Sequence, residues 1–179
     1  MSATINEPVL VGDPFVKIID GVFHMWYIFG MGWKKYSQES PPDRIYKISH
    51  ATSKDGIEWK KEEGKRIISD KLIEDECQAL PTVIWFRNKY HMFFCYRRAM
   101  DFRNNKNNSY RIGYAYSNDL ILWNRDDSQV GIDVSENDWD SDMLCYPHVF
   151  ELNEKIYLLY NGNEFGRLGF GLAELEMEN

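Results

Sequence analysis

Three acids stand ahead of three evenly spaced prolines: Asp13 before Pro14, Glu76 before Pro81 and Asp140 before Pro147, with Asp75 and Asp142 as near alternatives for the last two. Carboxylates brought together can divide acid–base work, a carboxyl of raised pKa giving a proton while an ionised one acts as base or nucleophile. Against that reading, the chain has 28 acids, and Asp before Pro is ordinary turn chemistry. Arg97 and Arg98 follow a predicted strand and could clamp a hydroxyl, carboxylate or phosphate, or simply face water. Trp33, Tyr36, Tyr96 and Phe165 fall in corresponding segments between strands, where rings stack on a sugar face or merely pack. His148 follows its proline directly and reads equally as a core histidine. The chain shows no nucleotide-binding glycine pattern, no Ser-His-Asp arrangement and no dense set of metal ligands, so no cofactor or metal is expected.

The elements that would position these groups come from a repeat. Pro14, Pro81 and Pro147 are 67 and 66 residues apart, and PFVKIIDGVFHMWY, PTVIWFRNKYHMFF and PHVFELNEKIYLLY align without a gap. Each copy is an apolar strand, a turn (Asp20-Gly21, Arg87-Asn88, Asn153-Glu154) and a strand ending in aromatics. Gly and Asn supply the positive φ of a tight hairpin. A third strand follows as YKISHATS, RIGYAYS and RLGFGLAE, aligning Ile48 with Ile112 and Leu168, and Ala51 with Ala115 and Gly171. Trp59 and Trp123 start the way back, and a fourth strand is expected at Arg66–Ile68 and Gln129–Gly131. Antiparallel strands in radially repeated blades are a solution to exposed sheet edges. The fold class is therefore all-β, a β-propeller of three four-stranded-type blades forming one domain or partial propeller. Blades are expected over 13–70, 76–133 and 140–179. Residues 1–12, with Pro8–Val11, are expected to complete the last blade, and the segment from Met100 to Ser109 reads as a polar, mobile loop.

Composition narrows the partners. With 28 acids and 21 bases the net charge is −7, and no basic stripe exists, which argues against nucleic acid. Aromatic residues make up 15% of the chain, which suits β structure and would also suit sugar stacking. The three cysteines, Cys77, Cys95 and Cys145, specify neither a disulfide framework nor a zinc site. No signal peptide or membrane-length apolar run is read, so no membrane partner and a cytoplasmic location are expected.

The motif Ser-x-Asp-Gly/Leu-x-x-Trp at Ser53–Trp59 and Ser117–Trp123 resembles the blade motif of the five-bladed glycoside hydrolases, families 43, 32 and 68 and the family 130 phosphorylases. Asp13-Pro14, Glu76-Cys77 with Pro81, and the run from Trp139-Asp140 through Tyr146-Pro147 to Asn163 resemble further blade segments of that superfamily. The resemblance implies a carbohydrate-active protein whose axial pocket holds the catalytic acids: Asp13 as stabiliser or base, Glu76 as general acid and Asp140 as a third carboxylate. His148 stands where family 43 often has a channel histidine, and Arg97, Trp33, Tyr96 and Phe165, by their positions after the second strands, are the other expected substrate contacts. Five blades of this period need about 300 residues, so a homo-oligomer or pairing with a missing propeller segment is expected. Glu76 also departs from the family spacing, with three extra residues before Pro81. The alternative reading is a non-catalytic sugar-binding or structural propeller segment.

Overall fold

The computed structural model describes residues 1–72 and 75–176. Three antiparallel sheets stand in chain order. The first orders β1 (Val11–Ile19), β2 (Val22–Lys34), β3 (Asp43–Ser53) and β4 (Lys60–Lys61). The second orders β5 (Glu76–Phe86), β6 (Lys89–Arg98), β7 (Arg111–Ser117) and β8 (Asn124–Arg125). The third has β9 (Cys145–Leu152), β10 (Lys155–Asn161) and β11 (Phe170–Glu174). Inner strand β1 lies against β5, and β5 against β9, so the sheets form an arc of three blades.

Apolar residues on both faces of the second strands hold the arc together. Trp26, Ile28 and Ile48 of the first blade pack with Val83, Met92 and Phe94 of the second. Ile84 and Ile112 meet Val149, Ile156 and Leu158 of the third. Each such fully buried side chain is worth about 1.5–3 kcal/mol. Gly113 and Gly171 occupy one repeat position, and a Cβ there would come within 2.5 Å of the Phe94 or Tyr160 ring.

The Ser-x-Asp motif builds the turn after the third strand, twice and in the same way. Ser53 Oγ accepts from the Asp55 and Gly56 amides, Asp55 Oδ1 accepts from Ile57 and Glu58, and Trp59 Nε1 donates to the Gly56 carbonyl. Ser117, Asp119 and Trp123 repeat every one of these bonds. These residues are thus blade architecture.

Four sequence expectations need correction. The fourth strands come directly after the tryptophans, at β4 and β8, because the turn just described reverses the chain at once; Arg66–Ile68 and Gln129–Gly131 are not strands. In the third blade the residues opposite Asn161 and Leu158 are Phe170 and Ala173, so these match Ile112 and Ala115, and Leu168 and Gly171 are two places out of register. The loop from Met100 to Ser109 is tied down, with Phe102 and Ser109 buried and a 3-10 turn at Lys106–Asn108. Residues 1–12 join the first blade, not the third. Val11 pairs with Phe29, and Glu7, wholly buried, accepts from Tyr27 Oη at 2.7 Å and the Gly64 amide at 3.2 Å while pairing with Lys61. That arm covers part of the outer face of the first blade, where Met25, Tyr27 and Phe29 are buried. The third blade's outer face stays bare: Leu152, Phe170 and Leu172 are 55%, 72% and 58% exposed.

Between the first two blades, His24 Nδ1 lies 3.0 Å from His50 Nε2, with Trp26 stacked on both rings. Burial lowers both pKa values, that of His50 to about 4, where the charge of His24 and Lys65 adds to the effect; Asp20 partly opposes the shift at His24. The unfolded chain therefore takes up protons first as pH falls. Stability from this pair should be whole above the ordinary value of 6.5 and drain as pH drops towards about 4. Urea unfolding across that window should show a steeper loss of stability for the natural chain than for His50→Gln; equal slopes would contradict the assignment.

Candidate functional site

Antiparallel order places the start of each inner strand beside the loops that follow β2, β6 and β10. At that end each inner strand carries an irregularity. The register shifts between Gly12 and Phe15, between Ala79 and Thr82, and between Cys145 and His148. The residue before each proline, Asp13, Leu80 or Tyr146, has a left-handed φ of 49°, 49° or 59°. Such a conformation is costly for a residue with a Cβ and persists only where the surroundings enforce it. The structural equivalents of Asp13 are therefore Leu80 and Tyr146.

The three positions converge. The Leu80 amide lies against the Asp13 carboxyl, and the Asp13 charge is felt at Cys95 and Tyr146. Burial raises the Asp13 pKa above its ordinary 3.8, with the Leu80 N–H opposing. The Tyr146 ring stacks on Phe165 at 6.2 Å and meets Tyr110 edge-on at 6.1 Å. Tyr110 also contacts Phe102 and Phe165 edge-on. Its hydroxyl is 2.9 Å from that of Tyr46, and these two tyrosines hold the same place at the head of the third strand in two blades. Burial drives the Tyr46 pKa up to about 12 and raises those of Tyr110 and Tyr146 further. Arg97 donates to Tyr46 Oη at 2.9 Å and to the Arg98 carbonyl at 2.7 Å, with its guanidinium 3.5 Å from the Phe102 ring centre. Phe165 and Glu164 are left-handed, at φ 61° and 53°, so the loop after β10 is held in a strained turn at this point.

Of the expected site residues, the structure brings Asp13, Arg97 and Phe165 to this cluster. Glu76 and Tyr96 lie elsewhere. Register pairs Cys77 with Arg97 and Gln78 with Tyr96, so Tyr96 projects from the opposite face of β6. Glu76 is wholly buried: Oε2 accepts from the Lys71 and Leu72 amides, and Oε1 from Gln78 Nε2 and Arg125. Four donors fill its acceptor sites and leave none for a substrate. Arg125 also pairs with Asp127, and Lys71 reaches both Asp127 and the Tyr96 hydroxyl. Asp140 is buried beside the Tyr160 hydroxyl, and Asp75 is paired with Arg98. His148 is exposed against Phe150, and Trp33 is exposed under Arg44; Trp33 and Tyr96 belong to strands rather than loops. Among the described residues no three His, Cys, Asp or Glu side chains gather to hold a metal.

Sequence reasoning passed over Tyr46, Phe102, Tyr110 and Tyr146. The alignment that matches the prolines also matches Asp13, Leu80 and Tyr146, so Tyr146 is readable from register, where residue type alone points to the acids. A separate cavity of about 650 Å³ lies between the second and third blades, lined by Phe86, His91, Tyr114 and Leu158, away from these groups.

No protein-family model matches the chain. Two uncharacterized proteins of Mycobacterium tuberculosis, from strains CDC 1551 / Oshkosh and ATCC 25618 / H37Rv, are each 37% identical over 172 residues, which is 96% of this chain. The chain spans about half the length of these curated relatives, 52% in each case. Among solved structures, a family 117 glycoside hydrolase of the marine bacterium Zobellia galactanivorans matches with TM-score 0.72 and 17% identity, over 97% of this chain and 54% of that one. A thermostable family-43 glycoside hydrolase gives TM-score 0.68 and 16% identity, over 96% and 56%. A family 32 β-fructofuranosidase of Bombyx mori gives 0.63 and 18%, over 91% and 33%. The arc is thus a partial β-propeller with the fold of these glycoside hydrolases.

Removing one partner of a buried ion pair costs about 3–5 kcal/mol, because the other charge is stranded. Glu76→Ala should lower unfolding free energy by that order, and Arg125→Met should do the same. A loss below about 1 kcal/mol for both would show that the network does not hold the second blade.

Proposed function

We propose that this arc, with the fold of the propeller glycoside hydrolases, recognises a sugar at the end where its three inner strands bulge. One observation carries the reading: a half-buried carboxyl, Asp13, shares that end with the rings of Tyr110, Tyr146 and Phe165. Aromatic faces stack on the apolar face of a sugar ring, while a few convergent polar groups fix its orientation. The two oxygens of a carboxyl can accept from adjacent sugar hydroxyls. Hydrolysis needs a second carboxyl across the bond, about 5 Å away for retention or about 6.5–9.5 Å for inversion. Glu76 has no free acceptor, so we assign it to positioning the strands, and Asp140 to the third blade's packing. On this reading the isolated chain binds sugar and turns it over weakly or not at all. The cysteines are unpaired and buried, which suits a reducing compartment, and we propose the cytoplasm.

Titration with a panel of furanosides and mannosides should detect binding, weakened about tenfold or more by Asp13→Asn or Tyr146→Ala. Binding unchanged in both variants would place the site elsewhere. Efficient hydrolysis surviving Asp13→Asn would contradict the assigned chemistry.

The bare outer face of the third blade supports a proposal about assembly: it meets another blade, from a second copy or from a further propeller segment. Contiguous exposed apolar surface marks such contacts. Light scattering should give a mass above that of one chain, falling to one chain in Leu172→Lys if a second copy is the partner. A clean monomer that gains no partner when a segment of a longer relative is supplied would overturn it.

A further inference from the structure

Among the described residues, the cations whose side chains are buried pair with acids, except at the axial end. Arg125 has Glu76 and Asp127, and Lys47 has Asp70. Arg97 is only 5% exposed, yet it forms no ion pair with any described acid. Its donors go to two carbonyls, of Arg98 and Ala99, and to the Tyr46 hydroxyl, and its Nε is buried without a partner. Ring faces complete the surroundings: Phe102 at 3.5 Å, Tyr46 and Tyr110 at 5.4 Å. Taking a cation out of water costs several kcal/mol unless an opposite charge repays it. Carbonyl dipoles and ring faces return part of that. The unpaired Nε marks the edge of the guanidinium where an acceptor is missing.

Resting on the reading of the axial end as a sugar site, we propose that Arg97 recognises an acidic group on the sugar, and that the ligand class is a carboxylate-bearing glycan such as a uronide. The guanidinium fork matches a carboxylate in two parallel bonds, which a neutral hydroxyl cannot offer. Access runs through Phe102. Its ring covers the guanidinium and also lines a cleft of about 500 Å³ between the loops after β2 and β6. Asp43 and Asp101 on the cleft wall repel anions, so the cleft cannot itself supply the selectivity. The acidic group must pass beneath Phe102, which therefore acts as a lid that the ligand displaces. On the far side of the ring, Arg103 stacks at 4.2 Å and adds a second positive charge near the entrance.

The test is calorimetric titration at neutral pH with methyl glucuronide and methyl galacturonide against methyl glucoside and methyl galactoside. Sugar 6-sulfates form a further arm. A bond to a charged group is worth about 10- to 100-fold in affinity, so the uronides should bind tighter by that factor. Arg97→Gln should abolish the preference, bringing the uronides down to the affinity that the same variant shows for the neutral sugars. Phe102→Ala should raise the ratio of uronide to neutral-sugar affinity several-fold, and it tests the lid even if the Arg97 variant fails to fold. Equal affinity for acidic and neutral sugars in the natural chain would overturn this proposal and leave the sugar site standing. A preference that survives in a folded Arg97→Gln, or an affinity ratio not raised by Phe102→Ala, would overturn it too. Sulfates binding tighter than uronides would overturn the carboxylate assignment. Binding of none of these sugars would overturn both this proposal and the reading beneath it.

Discussion

At Asp13, Leu80 and Tyr146 an inner strand takes one left-handed step before a proline, and the axial end of the molecule is arranged around those three steps. Each costs about 1–3 kcal/mol for a residue with a side chain. The steps survive because the strands are paired before them, at Val11–Gly12, Glu76–Ala79 and Cys145, and locked after them: β1 to β2 from Phe15 to Ile19, β5 to β6 from Thr82 to Phe86, and β9 to β10 from His148 to Leu152. Proline at the next position removes a ladder donor that the bulge could not have satisfied. The same irregularity, made once per blade, turns three unlike side chains towards one another. Two of them, a carboxyl and a phenol, can do chemistry on a ligand.

The blade architecture was legible because it is local and repeated. Hairpin turns, aromatic strand ends and the Ser-x-Asp turn each leave a mark in the sequence, and the prolines set the frame. What could not be read was how far each turn carries the chain before the next pairing. The fourth strand was displaced for that reason: Asp55 and Asp119 cap their turns so tightly that pairing resumes at Lys60 and Asn124. The third blade slipped by two residues because Gly162–Gly169 forms an irregular turn with no counterpart in the other copies.

The candidate site was half legible. Asp13, Arg97 and Phe165 were named from the sequence and meet at the axial end. Glu76 shows why residue type is not enough: an acid near a strand head can be spent entirely on holding its neighbours. Its four donors come from residues 71, 72, 78 and 125, and only the folding of the second sheet, from β5 to β8, brings the last of these within reach. Phe102 was hidden for a different reason. It lies in a polar segment whose composition reads as solvent-exposed, yet it is buried against the Arg97 guanidinium and the Tyr110 and Phe165 rings.

Because one propeller fold hosts many activities, the function rests on the axial groups and not on the likeness to solved enzymes. The most direct measurement is therefore where a sugar perturbs the chain. Backbone amide NMR shifts on titration with a methyl uronide should move first around Asp13, Leu80 and Tyr146, and in the loops that carry Phe102 and Phe165. Shifts confined to the wedge of Phe86, His91, Tyr114 and Leu158 between the second and third blades, with the axial amides unmoved, would contradict the account.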